Sequence, residues 1–147
     1  MNPAELTHSL RTRVDASFVR QGMMQHLGAR LGVVSPGTCE VFLPHSDRVT
    51  QQQGGFHGGA MGALADIAGG YAGLTMVPED MEITTVEYKV NFLTAFQGGE
   101  LRAVGRVIKA GRRVIITAAD VYHRAADGHE TLCCVMQQTL VPVPKTY

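Results

Sequence analysis

Between Gly54 and Gly70 the chain reads GGFHGGAMGALADIAGG, and two groups within it are able to act on a carbonyl. The first is backbone. A helix opening at the His57-Gly58-Gly59 turn leaves its first N–H groups unpaired and places its positive dipole end there, a seat for an anion or a developing oxyanion. Glycines let a ligand approach that backbone closely. The second group is Asp66, a carboxylate among Leu64, Ala65, Ile67 and Ala68. It either points to solvent from a polar helix face or is held against a ligand, because burying it alone is costly. Gly62, Gly69 and Gly73 leave its face of the helix bare, which would make room for a ligand. Beside a substrate, Asp66 would serve as general base or nucleophile.

One chain does not easily supply both groups to a single reacting carbon. Eight residues of helix separate Gly58 from Asp66 by about 12 Å, whereas reacting groups must come within about 3 to 3.5 Å. Two antiparallel copies of the helix across a two-fold axis would bring the turn of one subunit to the carboxylate of the other. The sequence therefore predicts a homodimer with two shared sites. The glycine loop matches neither the Gly-x4-Gly-Lys-Ser/Thr phosphate loop nor Gly-x-Gly-x-x-Gly after a strand.

The elements that would position these groups follow from apolar spacing. From His57 to Val77, Met61, Leu64, Ala65, Ala68 and Tyr71 or Ala72 recur at helical intervals, and the helix ends before Pro78. Its small residues (Gly62, Ala63, Ala65, Ala68, Gly69, Gly70, Ala72, Gly73) make it thin, at up to about 1 kcal/mol per interior glycine, so something must pack very close to it. An amphipathic helix is expected over 14–30, from Val14, Phe18, Met23, Met24 and Leu27. LGVVSPGTCEVFLP reads as a two-strand hairpin, and 44–55 as a loop. A meander of strands follows over about 82–141 (Ile83 to Ala95, Leu101 to Ala110, Arg113 to Arg124, Thr131 to Val141), linked by QGG, AGR and ADG. Short links make these antiparallel neighbours. In the first of them Thr84, Val86, Tyr88, Val90 and Phe92 alternate with Glu87, Lys89 and Asn91, which places Thr85 on the wetter side. The order of elements argues for an α+β fold, one domain over 1–147, with an antiparallel sheet wrapped around the central helix.

Composition narrows the function. The formal charge is zero, so the basic excess of a nucleic-acid or anionic-membrane binder is missing. No apolar run approaches the roughly 20 residues that span a bilayer, and MNPAELTHSL lacks the pattern of a signal peptide, so a cytoplasmic protein is expected. Cys39, Cys133 and Cys134 show no ligand-like spacing and are expected to be buried packing residues, with no disulfide framework. The six histidines are scattered, and no metal site is expected.

The chain resembles the hotdog-fold acyl-CoA thioesterases of the phenylacetate-pathway (PaaI-type) branch, from about Val14 to Val141. The likeness rests on HGGAMGALAD (His57 to Asp66), TVEYKVNFLTAFQGGEL (Thr85 to Leu101) and IKAGRRV (Ile108 to Val114) in that order. It implies hydrolysis of a small aryl- or medium-chain acyl-CoA thioester, with Asp66 as nucleophile or general base and the Gly58 N–H as oxyanion hole. His57 and Gly59 would shape that turn, and the Thr85 hydroxyl would help place the attacking water. Where members often carry asparagine six residues before the histidine, this chain has Gln51, so Gln51 or Gln53 would supply the polar helper. Gly111, Arg112 and Arg113 would meet the coenzyme A phosphates, for which guanidinium forks are suited. Met61, Leu64 and Tyr71 would line the acyl pocket. No cofactor is implied, coenzyme A being part of the substrate, and the family commonly pairs dimers into homotetramers.

Two other functions fit the same fold. A hotdog hydratase or dehydratase needs a catalytic His paired with an acid, but His57 and Asp66 lie nine apart in the wrong order for that motif. A non-catalytic acyl-CoA-binding protein would not need Asp66.

Overall fold

The computed structural model describes all residues from 1 to 147, with six antiparallel strands and three α-helices. Helix α1 (Pro3–Phe18) starts on a reciprocal cap: the Asn2 side chain accepts from the Glu5 N–H at 2.9 Å and the Glu5 carboxylate accepts from the Asn2 N–H at 2.8 Å. Proline at the first turn adds a fixed φ where no N–H is needed. Leu10, Val14 and Phe18 form its buried stripe. The single helix expected over 14–30 is instead two. The chain turns at 19–21, and α2 (Gly22–Leu27) ends on Gly28, whose φ of +80° is left-handed. Two short helices with apolar residues in similar phase imitate one longer helix in a sequence.

The hairpin forms as β1 (Arg30–Ser35) and β2 (Thr38–Pro44), and the polar stretch after it carries a short 3-10 turn at Asp47–Val49. Helix α3 (Gly58–Leu74) has His57 and Thr75 as its caps. Strands β3 (Met81–Phe92), β4 (Glu100–Ala110), β5 (Ile115–Arg124) and β6 (Glu130–Pro144) complete a sheet of order β1-β2-β4-β5-β6-β3. The expectation that β3 and β4 are neighbours is therefore corrected. β3 pairs with β6 at one edge while β4 lies between β2 and β5. The seven residues 93–99 reach across because, at about 3.3 Å each, they span more than the roughly 14 Å of three strand spacings. No helix is long and apolar enough to cross a membrane.

The thinness of α3 is used by the sheet. A Cβ on Gly105 of β4 would lie 2.1 Å from the Ala68 carbonyl oxygen, so helix backbone rests directly on strand backbone. A Cβ on Gly73 would meet Leu140 at 2.4 Å, and one on Gly69 would meet the Gln138 side chain at 2.0 Å. The bare face beside Asp66 is thus filled by β5 and β6 rather than left open for a ligand. Around it Leu64, Ala65, Ala68, Leu101, Ala103 and Val121 form the buried core. On the other face of the sheet, Arg102 grips Glu130 with two hydrogen bonds of 2.8 and 2.7 Å and reaches Glu40 at 2.8 Å, holding the Glu130 carboxyl below the usual carboxylate range. Cys39, Cys133 and Cys134 are free and buried, and burial pushes their thiols up to about 12, 11 and 12.

The backbone contact at Gly105 predicts that Gly105→Ala, which forces helix and strand apart, will destabilise the fold by about 2 to 3 kcal/mol. Gly22→Ala, at a site with nothing within 4 Å, should change stability by less than about 0.5 kcal/mol. Urea unfolding of both variants checks the pair, and an unchanged midpoint for Gly105→Ala would show the close approach to be wrong.

Candidate active site

The turn that opens α3 is held from three sides. The His57 N–H donates to the Val49 carbonyl at 2.7 Å, and the His57 Nδ1 accepts from the Gly59 N–H at 2.7 Å, so the exposed imidazole is the helix cap. The Phe56 N–H donates to the Phe96 carbonyl at 2.9 Å. Behind it, His45 bonds the Gly54 carbonyl at 2.9 Å and meets the Phe56 ring edge-on, while His123 stacks on Phe96 with centroids 4.1 Å apart. The Gly58 N–H points out of this clamped turn with no acceptor in the chain. A Cβ at Gly58 would come within 3.1 Å of the Phe92 ring.

Gln51 sits in the loop that leads to the turn and is folded back on it. Its N–H donates to the Gly55 carbonyl at 2.9 Å, and its side-chain oxygen accepts from the Gln53 N–H. Gln53 itself is exposed. Neither amide is brought to Asp66 within one chain.

Asp66 lies two turns further along α3. Its Oδ1 accepts two hydrogen bonds, from the Thr85 hydroxyl at 2.8 Å and from the Gln138 amide at 2.7 Å, and its Oδ2 accepts none within the chain. Thr85 was expected on the wetter side of its strand, and the structure corrects this. The pairing of β3 with β6 slips between Thr85 and Glu87, so Val86 forms a β-bulge. A bulge inserts one residue and re-aims the side chains beyond it. Ile83 and Thr85 therefore face α3 before the bulge, and Tyr88 and Phe92 face it afterwards, over Gly62 and Gly58.

Asp66 and Thr85 border a cavity of about 320 Å³. Ile67, Gly70, Leu74 and Ile83 supply its apolar wall. Its far end is polar, with the Tyr71 hydroxyl held by Gln21 at 2.7 Å and by Ser17 at 3.1 Å. Burial pushes the Tyr71 phenol above its ordinary value. Tyr147 closes one side, its ring under the Arg20 guanidinium and its hydroxyl bonded to Glu82. Of the expected acyl-pocket residues, Tyr71 lines this cavity, while Met61 and Leu64 are buried in the core instead.

Gly111, Arg112 and Arg113 form the exposed turn between β4 and β5. The Gly111 N–H donates to the Val114 carbonyl at 2.9 Å, and a Cβ there would lie 2.6 Å from that same oxygen, so the glycine serves the turn. The Val107 N–H bonds Gly37, and the Gly37 N–H bonds the Thr75 hydroxyl, both at 2.8 Å. These contacts put the turn beyond the C-terminal end of α3, away from Gly58. One chain therefore brings Asp66 and Thr85 together, and leaves Gly58, Gln51 and the two arginines apart from them.

Gln138 was not anticipated. Its signal was present, because Cys134, Met136, Gln138 and Leu140 alternate along β6 on the buried side, and a glutamine in that phase demands a partner. Ser17 and Gln21 escaped because they sit where one long helix was expected. His57 and Asp66, nine residues apart on one helix, lie about 13 Å from each other along its axis, so a single chain does not pair them as a hydratase would require.

Residues 53–135 match the model of the thioesterase superfamily. A crystal structure of a thioesterase family protein from Silicibacter pomeroyi superposes with a TM-score of 0.88 at 34% identity, covering 92% of this chain and 99% of that one. The 1,4-dihydroxy-2-naphthoyl-CoA hydrolase of Escherichia coli is 26% identical over 117 residues, which are 80% of this chain and 83% of that protein. The PaaI protein from the phenylacetic acid degradation operon of E. coli shares the fold, with a TM-score of 0.84 at 18% identity over 96% of this chain and 98% of that one. The chain spans 64% of the length of one curated relative and 98% of another.

The cap at His57 predicts that His57→Ala will lower stability by on the order of 1 kcal/mol and leave the rate per folded molecule within a few-fold of the original. Urea unfolding and a turnover assay check the two halves. A loss of rate of a hundredfold or more in a folded variant would show the imidazole to be part of the chemistry.

Proposed function

The chain belongs to the thioesterase superfamily and is a thioester hydrolase of hotdog fold, and on that premise we propose that it hydrolyses acyl-CoA thioesters at sites shared between two subunits. The observation that carries this reading is Asp66 at the mouth of the cavity, with one oxygen held and the other free. In the proposed reaction Oδ2 takes a proton from water as the water oxygen bonds to the thioester carbon. The carbonyl electrons move to oxygen, which the N–H of Gly58 of the partner subunit receives at the positive end of α3. Collapse of the intermediate breaks the C–S bond and the electron pair leaves on sulfur; the proton held by Asp66 passes to the thiolate to give free coenzyme A, and the acid product loses its remaining proton to solvent as a carboxylate. Only residues of the chain act, and coenzyme A enters as part of the substrate.

The acyl group would occupy the cavity beside Asp66. At roughly 30 Å³ per water-sized atom, 320 Å³ holds about ten non-hydrogen atoms, which suits an aryl or medium-chain acyl group. Arg112 and Arg113 make no ion pair in the chain, and their free guanidinium groups suit the phosphates of coenzyme A. Strand β3 supports the homodimer. It is a sheet edge of twelve residues on which Val86, Tyr88 and Phe92 are exposed, a template for a second copy. Dimers of such dimers would form the homotetramer.

Asp66→Asn is a clean test because asparagine still offers an oxygen to Thr85 and Gln138. On a panel of aryl- and fatty-acyl-CoA substrates with detection of the freed thiol, it should cut kcat/KM by about 10² to 10⁴-fold. Cleavage of none of them by the unaltered protein, or full activity of Asp66→Asn, would refute the proposal.

The shared site is tested by replacing Gly58 with proline, which removes the N–H and sets its ring against Phe92. Gly58 is the first residue of α3, where proline is well tolerated, and the φ and ψ of His57, −69° and 135°, suit a residue that precedes proline. Gly58→Pro should be inactive. Co-expressed with Asp66→Asn, it should recover about a quarter of the activity, because half the dimers would carry one intact site of two. No recovery in purified mixed dimers would place both groups in one subunit.

A further inference from the structure

We propose that Gln138 is a positioning residue, which holds Oδ1 of Asp66 so that Oδ2 alone is presented to the substrate. This rests on Asp66 as the base described above and adds the device that orients it. Gln138 is 1% exposed, in the interior of β6. Its amide nitrogen donates to Asp66 Oδ1 at 2.7 Å and lies 3.4 Å from the Thr85 hydroxyl. Its amide oxygen accepts from the Thr117 hydroxyl at 2.8 Å, and Thr117 is wholly buried.

The sense of the amide follows from donor chemistry. Turned over, its oxygen would face a carboxylate oxygen at the same distance, acceptor against acceptor. The Thr117 hydroxyl, on the other side, is free to rotate and donate. Thr85 and Gln138 then fill Oδ1 between them, and the carboxylate plane cannot swing without breaking two hydrogen bonds.

The helix is shaped for this amide. Gly69, one turn after Asp66, would bring a Cβ to 2.0 Å from the Gln138 oxygen and 2.8 Å from the Thr117 hydroxyl. Any side chain at position 69 evicts the glutamine. Packing alone does not call for glutamine here, since replacing a buried hydrogen-bonded pair such as Gln138 and Thr117 together by apolar groups of the same shape can be nearly neutral. What glutamine adds is a fixed donor to one oxygen of Asp66.

Three variants test the role. Gln138→Leu fills the same space without a donor, and Gly69→Ala displaces the amide while leaving it in the sequence. Each should lower kcat by about ten- to a hundredfold with KM within about twofold. Gln138→Glu places a second carboxyl against Asp66, and two such groups within about 3 Å do not both ionise readily. The acid limb of its kcat/KM profile should therefore move to higher pH, which a residue out of contact with the base would not cause. Folding is checked by urea unfolding, and if Gln138→Leu does not fold, the profile of Gln138→Glu decides. A folded Gln138→Leu with the original kcat, or a Gln138→Glu with the original pH profile, would overturn the proposal. A readout independent of turnover separates it from the proposed activity. The side-chain amide resonances of Gln138, assigned in ¹⁵N-labelled protein by their loss in Gln138→Leu, should move in Asp66→Asn, which replaces the carboxylate oxygen that the amide bonds. Resonances indifferent to Asp66→Asn would overturn the proposal even if every thioester is cleaved as expected, and a protein that cleaves no thioester would refute the activity while this measurement still decides the contact.

Discussion

At Gly105 no side chain separates β4 from α3, and the Ala68 carbonyl rests where a Cβ would be. Most of the architecture depends on that approach. A helix drawn in so far can be wrapped by strands on several sides only if it is thin, which explains the run of alanine and glycine despite the poor helix propensity of the glycines. The same closeness lets side chains from β5 and β6 reach over the helix. Gln138 and Thr117 meet Asp66 and Gly69 from two strands that would otherwise stand a full layer away. Close packing and the orientation of the carboxylate are therefore one feature of the fold.

The two chemically useful groups of α3 are products of different surroundings. The Gly58 N–H is presented by a turn locked between aromatic rings and carbonyls, from loops and from His123 of β5. Asp66 is oriented by strand residues from the sheet interior. A rigid helix keeps these settings apart, and that separation makes a site spanning two subunits geometrically reasonable.

Much of this was legible in the sequence, for reasons that differ by element. The central helix announced itself through apolar spacing, a His-Gly-Gly start and Pro78 beyond its end, and its small residues implied a close neighbour. Asp66 stood out because a lone carboxylate among apolar residues needs a reason. The N-terminal region was misjudged because α1 and α2 carry apolar residues in compatible phase, although Asn2 and Glu5 spell a capping box that starts the first helix earlier. The neighbours of β3 were not legible, since strand order depends on long-range pairing rather than on link length alone. The bare face of α3 was read as space for a ligand, when Gly69 and Gly73 in fact receive side chains from the sheet.

The bulge at Val86 divides β3 into two halves of opposite phase. Residues before it serve the carboxylate and the cavity, and residues after it roof the start of the helix. Because the phase changes within the strand, neighbouring positions answer to different demands: a substitution at Ile83 alters the cavity wall, one at Tyr88 or Phe92 alters the cover over Gly62 and Gly58, and neither need disturb the other. The loss of a single residue at the bulge would be another matter. It would rejoin the two halves into one alternating strand and turn either the hydroxyl of Thr85 or the rings of Tyr88 and Phe92 away from the helix, so the length of this strand is under tighter constraint than most of its side chains.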